Sequence, residues 1–367
     1  MSKLILIDPE YLDATGHHRS VDLEIRKACE ELGLEFCLLD RSHFTCRTYL
    51  SNTEIKEWLE QPHLILEDYA RISIHPGDMV LMHTASPWHL FGLANRIKDL
   101  RGVNIAVGLI YPVQIWSTDE AVLLQLSRSL SDLVRQLSGM GAFLYTETGY
   151  LDLGTHRIEL PSLVLPLSHA SLSRIKRLKS SQQSDSPEKT RFGFFGQPRA
   201  EKGFDGLLSL LSQNTYSDKE FHFFLPTEYK RLEARIQGSG GNNSVATYFG
   251  AFDHDQYFEA MAACQAVLCF YDPKYYGTQM SGIVTDAPLL GKATVISSGT
   301  EPEKFLQRYC PGTHISVAYT PESLHDALSL PIDVWSKLSS NANASESLLM
   351  EIKSARRFLQ IALSARF

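Results

Sequence analysis

Six cysteines among 367 residues is a small number, and their placement excludes more than it offers. Cys29, Cys37, Cys46, Cys264, Cys269 and Cys310 form no C-x-x-C pair and share no zinc spacing with the histidines. A disulfide scaffold and a structural zinc site drop out, leaving the reduced thiols of a cytosolic protein. Excess positive charge is also missing. The formal net charge of −7 argues against nucleic acid as the partner, while a local basic patch against a membrane stays open. No apolar run approaches the length of a membrane span, and the run at residues 4–7 is too short for a signal-peptide core. These absences predict a cytoplasmic protein, soluble or peripheral on the inner face of the membrane. There is no short-period repeat, no Walker A loop and no Ser-His-Asp arrangement. Asp253-His254-Asp255 has the form of a D-x-D metal motif, but it stands before a helix and reads as a cap. No metal and no cofactor are expected.

What is present is an ordinary globular composition, 44% hydrophobic and 21% charged, in a chain long enough for two α/β domains. Short apolar runs at residues 4–7, 35–39, 78–83, 104–110, 142–146 and 163–167 read as strands. Amphipathic segments at 20–32, 89–100 and 121–137 read as helices between them. Residues 171–190 are polar, Ser-rich and charged, as an interdomain linker would be. The alternation then restarts with strands at 191–195, 221–225, 246–249, 266–270 and 293–297, and a mostly helical tail follows from 339. Alternation of this kind predicts parallel sheets built from right-handed βαβ units. The expected fold class is therefore α/β, with two Rossmann-like domains facing each other across a cleft. The expected divisions are a first domain at 1–175, a linker at 176–190, a second domain at 191–340 and a tail helix at 341–367.

The densest chemistry lies between residues 191 and 297. An apolar strand runs into Gly196-Gln197-Pro198-Arg199-Ala200-Glu201-Lys202-Gly203 and then a helix. Free N–H groups at a helix start attract phosphate, and Lys202 adds a full charge; Arg199 could fork onto the same oxygens. The bland counterpart is a solvated lysine. Farther on, Ser281-Gly282-Ile283 opens another helix with Asp286 inside it. Its backbone can approach a diphosphate, and the carboxylate can accept two hydroxyls. The competing reading is a mere polar residue near a helix start. His83 ends a buried strand, where a doubly wound sheet presents polar groups to its ligand, although a satisfied core histidine fits as well. His17 and His18 follow Gly16 at a helix mouth; they could bind phosphate or an acceptor, assist a proton transfer, or simply cap.

These motifs resemble the GT-B glycosyltransferases, most closely the large retaining family of sucrose synthase and bacterial α-mannosyltransferases. The likeness rests on the strand-Gly196-…-Lys202-Gly203 turn and on the stretch from Thr278 to Val295, and it covers the C-terminal half best. It implies a nucleotide-sugar donor, a carbohydrate or lipid-linked acceptor with a hydroxyl, retention of configuration, and a final helix at 345–362 packed back on the first domain. It implies donor-binding roles for Gly16, Gly196, Lys202, Thr278, Ser281, Gly282, Ile283 and Asp286. Catalytic roles would fall to His83, Lys202 and Arg199, and acceptor or accessory roles to His17, His18 and Tyr111. Two departures stand out. Arg199 is displaced from the family's position, where Gln197 stands, and Thr278 replaces a glutamate that contacts the sugar. A non-catalytic nucleotide- or glycan-binding partner and a sugar-nucleotide epimerase of the same fold therefore remain as alternatives.

Overall fold

The structure, a computed structural model, describes residues 3–10, 17–47, 49–98, 100, 102–181, 188–250, 252 and 254–364. The chain divides into two compact units, Met1–His169 with Ile352–Phe367 and Ala170–Glu351. In chain order the first holds β1 (Lys3–Ile7), α1 (His17–Leu32), β2 (Glu35–Leu39), α2 (Asn52–Glu60), α3 (His63–Ala70), β3 (Met79–Met82), α4 (Pro87–Ile97), β4 (Asn104–Gly108), α5 (Glu120–Gly139), β5 (Phe143–Tyr145), β6 (Tyr150–Asp152) and β7 (Arg157–Glu159). The second opens with α6 (His169–Ser181), β8 (Thr190–Phe195), α7 (Phe204–Gln213), β9 (Lys219–Leu225), α8 (Glu233–Ser239), β10 (Ser244–Phe249) and α9 (His254–Ala262). It continues through β11 (Ala266–Cys269), α10 (Pro273–Tyr276), α11 (Gly282–Leu289), β12 (Ala293–Ser297), α12 (Glu301–Tyr309), β13 (His314–Val317), α13 (Pro321–Leu328), α14 (Ile332–Ala344) and α15 (Glu346–Ile352). The last helix, α16 (Ala355–Ser364), belongs to the first unit.

The first sheet is parallel with order β2-β1-β3-β4-β5. Leu4, Ile5, Leu6 and Ile7 are all buried, because a central parallel strand is covered on both faces. The period of two sorts them. Ile5 and Ile7 join Val80 and Met82 under α4 and α5, while Leu4 and Leu6 join Leu81 under α1 and α16. α16 presents Ala355, Phe358, Leu359 and Ala362, a spacing of three and four that lays one stripe on that face. Phe358 and Leu359 are each buried to within a few per cent, worth about 1.5–3 kcal/mol apiece. The second sheet is also parallel, with order β10-β9-β8-β11-β12-β13.

In each unit the chain winds outward from its first strand in one direction and then crosses to build in the other. The winding reverses between β1 and β3 in the first sheet and between β8 and β11 in the second. Diverging connections leave an opening at the carboxyl ends of the strands at such a point.

Three expectations are corrected. Residues 163–167 do not form a strand; Leu163 takes a single bond from its N–H to the Thr146 carbonyl, and Pro166 has no N–H to give. Residues 171–181 of the polar stretch expected as linker belong to helix α6, with Leu172 and Ile175 buried on one side; residues 182–187 lie outside the described residues. The tail is not one helix. Lys353 O accepts from Leu167 N at 2.6 Å and Ala355 N donates to Leu167 O at 2.8 Å, which diverts the backbone between α15 and α16.

Candidate functional site

The polar groups of the second unit gather where its sheet reverses. β8 ends at Phe195, and Gly196 follows with φ of 89°. A Cβ there would stand 3.2 Å from the Lys202 Nζ, so the lysine lies back against the end of the strand. Between them the chain makes a 3-10 turn at Ala200–Lys202. Gly203, at φ 69°, ends it, and a Cβ in its place would be 2.2 Å from the Phe270 carbonyl oxygen. Only glycine lets this turn rest on the end of β11. Asp272 N also donates to Glu201 O at 2.9 Å, tying the loops after β8 and β11 together. Lys202 is half-buried; burial, reinforced by the Arg199 charge, pulls its pKa down to about 8. Arg199 is exposed, with its Nε 3.2 Å from a Glu201 carboxylate oxygen, and it also hydrogen-bonds Tyr276.

From β11 the chain supplies the other half of the site. Tyr271 and Tyr276 are buried and stacked, with ring centroids 4.2 Å apart. The Tyr271 hydroxyl lies 3.0 Å from Ser281 Oγ. Ser281 is the N-cap of α11, and its side chain makes no capping bond. By contrast α4, α5, α12 and α13 are capped by Ser86, Asp119, Thr300 and Thr320. No Ser281 side-chain bond closes the first turn of α11, where Val284 N donates back to Ser281 O at 3.1 Å. Gly282 is exposed, with nothing within 4 Å of where a Cβ would be. Asp286, one turn on, is buried and accepts from the Tyr257 hydroxyl at 3.2 Å and from Thr285 Oγ1 at 3.4 Å. Thr278 is half-buried in the bend between α10 and α11. The set offers an ammonium and a helix N-terminus, which suit an anion, and a fixed carboxylate, which suits hydroxyl donors.

The first unit has a cluster at its own reversal. Asp8 follows β1, His83 follows β3, and Asp22 lies on the buried side of α1. His83 Nε2 is 2.8 Å from Asp22 Oδ1 and 3.2 Å from Asp8 Oδ2, and Nδ1 is 2.9 Å from Thr84 Oγ1. Burial works against a charged ring here. The hydrogen bonds and charges of Asp22 and Asp8 outweigh it and hold the imidazole up to about 10. His83 is thus clamped between two carboxylates whose charges favour the protonated ring, joining β1, α1 and β3. Among the described residues these three are the group of carboxylate, thiol and imidazole donors close enough to share an ion, all within 4.8 Å of one another. A proton on Nε2 and an ion would compete for the same lone pair.

The sequence-predicted residues thus divide. Gly196 and Lys202 touch; Ser281, Gly282, Ile283 and Asp286 share α11; Arg199 reaches the Tyr276–Tyr271 stack that leads to Ser281. Gly16 lies outside the described residues, and His17 and His18 are placed only as the first residues of α1. Tyr111 is half-buried after β4, edge-on to Trp116 at 5.8 Å. Tyr257, Asp8 and Asp22 were not anticipated. Asp22 carried a signal, since it is an acid beside Val21 and Ile25 on the apolar stripe of α1.

No protein-family model and no curated protein matches this chain. Its structure is nonetheless similar to solved ones at low identity. HepE of Anabaena, solved with UDP, is 12% identical at a TM-score of 0.63, over 99% of this chain and 100% of that one. Sucrose-phosphate synthase of Thermosynechococcus elongatus is 12% identical at 0.63, over 98% of each chain. WaaG, a glycosyltransferase involved in lipopolysaccharide biosynthesis, is 13% identical at 0.62, over 98% of this chain and 99% of that one. The likeness establishes the fold class alone, α/β with two Rossmann-like units as in GT-B proteins.

Proposed function

We propose that this protein is a glycosyltransferase that moves a sugar from a nucleotide-sugar donor to a hydroxyl of a carbohydrate or lipid-linked acceptor, with retention and without a metal ion. One observation carries the reading: Lys202, the start of α11 that Ser281 leaves uncapped and the carboxylate of Asp286 all lie in the segments that follow β8 and β11, the two strands between which the second sheet reverses. Their order suits a nucleoside diphosphate. The N–H groups of Ser281–Ile283 and the Lys202 ammonium would hold the diphosphate, and Asp286 would accept from the ribose hydroxyls. When the bond between the sugar and the diphosphate breaks, negative charge grows on the leaving oxygen. Lys202 and the α11 dipole stabilise that charge where it develops, and Arg199 is near enough to share the task. His83, with both ring nitrogens engaged, acts as a positioning residue that fixes the ends of β1 and β3. Gly16, His17, His18 and Tyr111 belong in this proposal to the acceptor side.

HepE, solved with UDP and with UDP-glucose, makes UDP-sugars the first donors to test. A donor at one hundred times its Kd should add about 2.7 kcal/mol of stability in a thermal-shift screen. Release of nucleoside diphosphate that requires an acceptor supports transfer. Acceptor-independent product points to an epimerase. The neutral Thr278, in place of a sugar-contacting acid, favours the second reading of a non-catalytic binding partner, which would bind the donor and never turn it over.

A further inference from the structure

Asp286 is 7% exposed, so a ligand meets only the lone pairs that the orientation of its carboxylate presents. That orientation is set from outside its own helix. Tyr257, half-buried on α9, donates its hydroxyl to Asp286 Oδ2 at 3.2 Å. Thr285 holds the carboxylate less firmly. Its Oγ1 stands 2.8 Å from the Gly282 carbonyl oxygen and 3.4 Å from Asp286 Oδ1, and a hydroxyl has a single proton, so the bond to the carboxylate is the weaker of the two. Tyr257 is itself fixed. Its ring meets Phe195, the last residue of β8, edge-on at 5.8 Å, and Phe258 at 5.3 Å. Burial, and then the Asp286 charge, push the phenol well above its ordinary value, so the oxygen keeps its proton and stays a donor.

We propose that Tyr257 is the positioning residue of the ribose site: its bond holds the Asp286 carboxylate in the direction that accepts a cis-diol, and so sets a preference for ribonucleotides over 2′-deoxyribonucleotides. The inference rests on the reading of Asp286 as the ribose acceptor. A carboxylate has about four lone-pair sites on its two oxygens, so it can take donors from the protein and from two neighbouring hydroxyls together. Rotation about the Cβ–Cγ bond of an aspartate is soft, and it moves both oxygens at once. A pair of hydroxyls on a rigid ring needs that rotation stopped, and a phenol anchored on another helix stops it. A 2′-deoxynucleotide offers one hydroxyl, which a turned carboxylate can still follow. Loss of the Tyr257 bond therefore falls hardest on the ribonucleotide.

The test is calorimetric titration of wild type, Tyr257→Phe, Asp286→Asn and the double variant with UDP, GDP and ADP and with the 2′-deoxy form of each. Phe keeps the ring against Phe195 and loses the hydroxyl. Wild type should bind at least one of the three ribonucleotides, more tightly than its deoxy form by about tenfold. Tyr257→Phe should weaken the ribonucleotide by about three- to tenfold and the deoxy form by about twofold at most, so that the ratio between them shrinks. In the Asp286→Asn background Tyr257→Phe should cost a further factor of about two at most, because it acts through the carboxylate. The deoxynucleotide reports, in the same titrations, that the variant is folded and still binds a diphosphate. Equal weakening of both forms by Tyr257→Phe, or an unchanged ratio, gives Tyr257 a structural role and overturns the inference while the nucleotide reading stands. Additive losses in the double variant overturn it in the same way. If wild type binds none of the three ribonucleotides, the nucleotide reading falls and this inference falls with it.

Discussion

The clamp at His83 makes a prediction about pH whose size follows from the structure. The imidazole is held at about 10 in the folded protein, against 6.5 in a free histidine. A group raised in this way contributes its full stabilisation below pH 6.5 and loses it as the pH climbs toward 10, because only the folded state keeps the proton in between. The slope is at most about 1.4 kcal/mol per pH unit. Above pH 8 the picture is mixed, since Lys202 and Lys292 are depressed to about 8 by burial and their stability terms rise with pH there. The clean window is therefore pH 6.5 to 8.0, over which wild type should lose about 2 kcal/mol that a His83→Gln variant does not. The variant should also be less stable by about 3–5 kcal/mol at pH 6.5, since it strips the cation from two buried carboxylates. Urea unfolding followed by tryptophan emission reads this well, because Trp58, Trp88 and Trp116 all lie in the first unit. Parallel pH slopes for wild type and variant would show that the ring is neutral and the clamp misassigned. Stabilisation by Mn²⁺ or Zn²⁺ that vanishes in His83→Gln would replace the proton with an ion.

Other consequences follow from the second unit. Gly203→Ala should destabilise by more than Gly33→Ala. Both glycines have φ near 65–70°, but only at Gly203 would the new Cβ strike a backbone oxygen, so the thermal-unfolding difference reads that contact alone. Affinity for nucleoside diphosphate should fall above pH 8, where free Lys202 loses its proton, by up to about tenfold per pH unit; Lys202→Ala should show no such fall in the same titration. Thr278→Ala should change which donor sugar is preferred and leave free nucleotide binding nearly untouched, as competition assays between UDP-sugars would show.

How far the sequence reached depended on range. The α/β alternation and most strands were legible because period and burial are local properties, as in residues 4–7. The Gly196–Gly203 turn and the Ser281–Asp286 helix start were legible for the same reason, since each is a contiguous stretch with its own spacing. The clamp was not. Asp8 and Asp22 stand 75 and 61 residues from His83, and only the strand order brings them together. Tyr257 was hidden similarly, 29 residues from the carboxylate it holds. The misread segments failed for different causes. Residues 171–181 looked like linker because Ser, Lys and Arg dominate, yet Leu172 and Ile175 give the short amphipathic signal that the helix uses. The tail broke where Leu167, far upstream, captured the backbone of Lys353 and Ala355, a long-range event that no helical pattern announces.

The central claim is that the β8/β11 reversal holds a nucleoside diphosphate, with Asp286 on the ribose. Calorimetric titration of UDP and UDP-glucose into wild type and Asp286→Asn tests it most directly. The substitution keeps the shape and the bond from Tyr257 but removes the charge, so both ligands should lose affinity by the same factor, about ten- to hundredfold for a charged acceptor. Equal binding of UDP to wild type and Asp286→Asn would contradict the account.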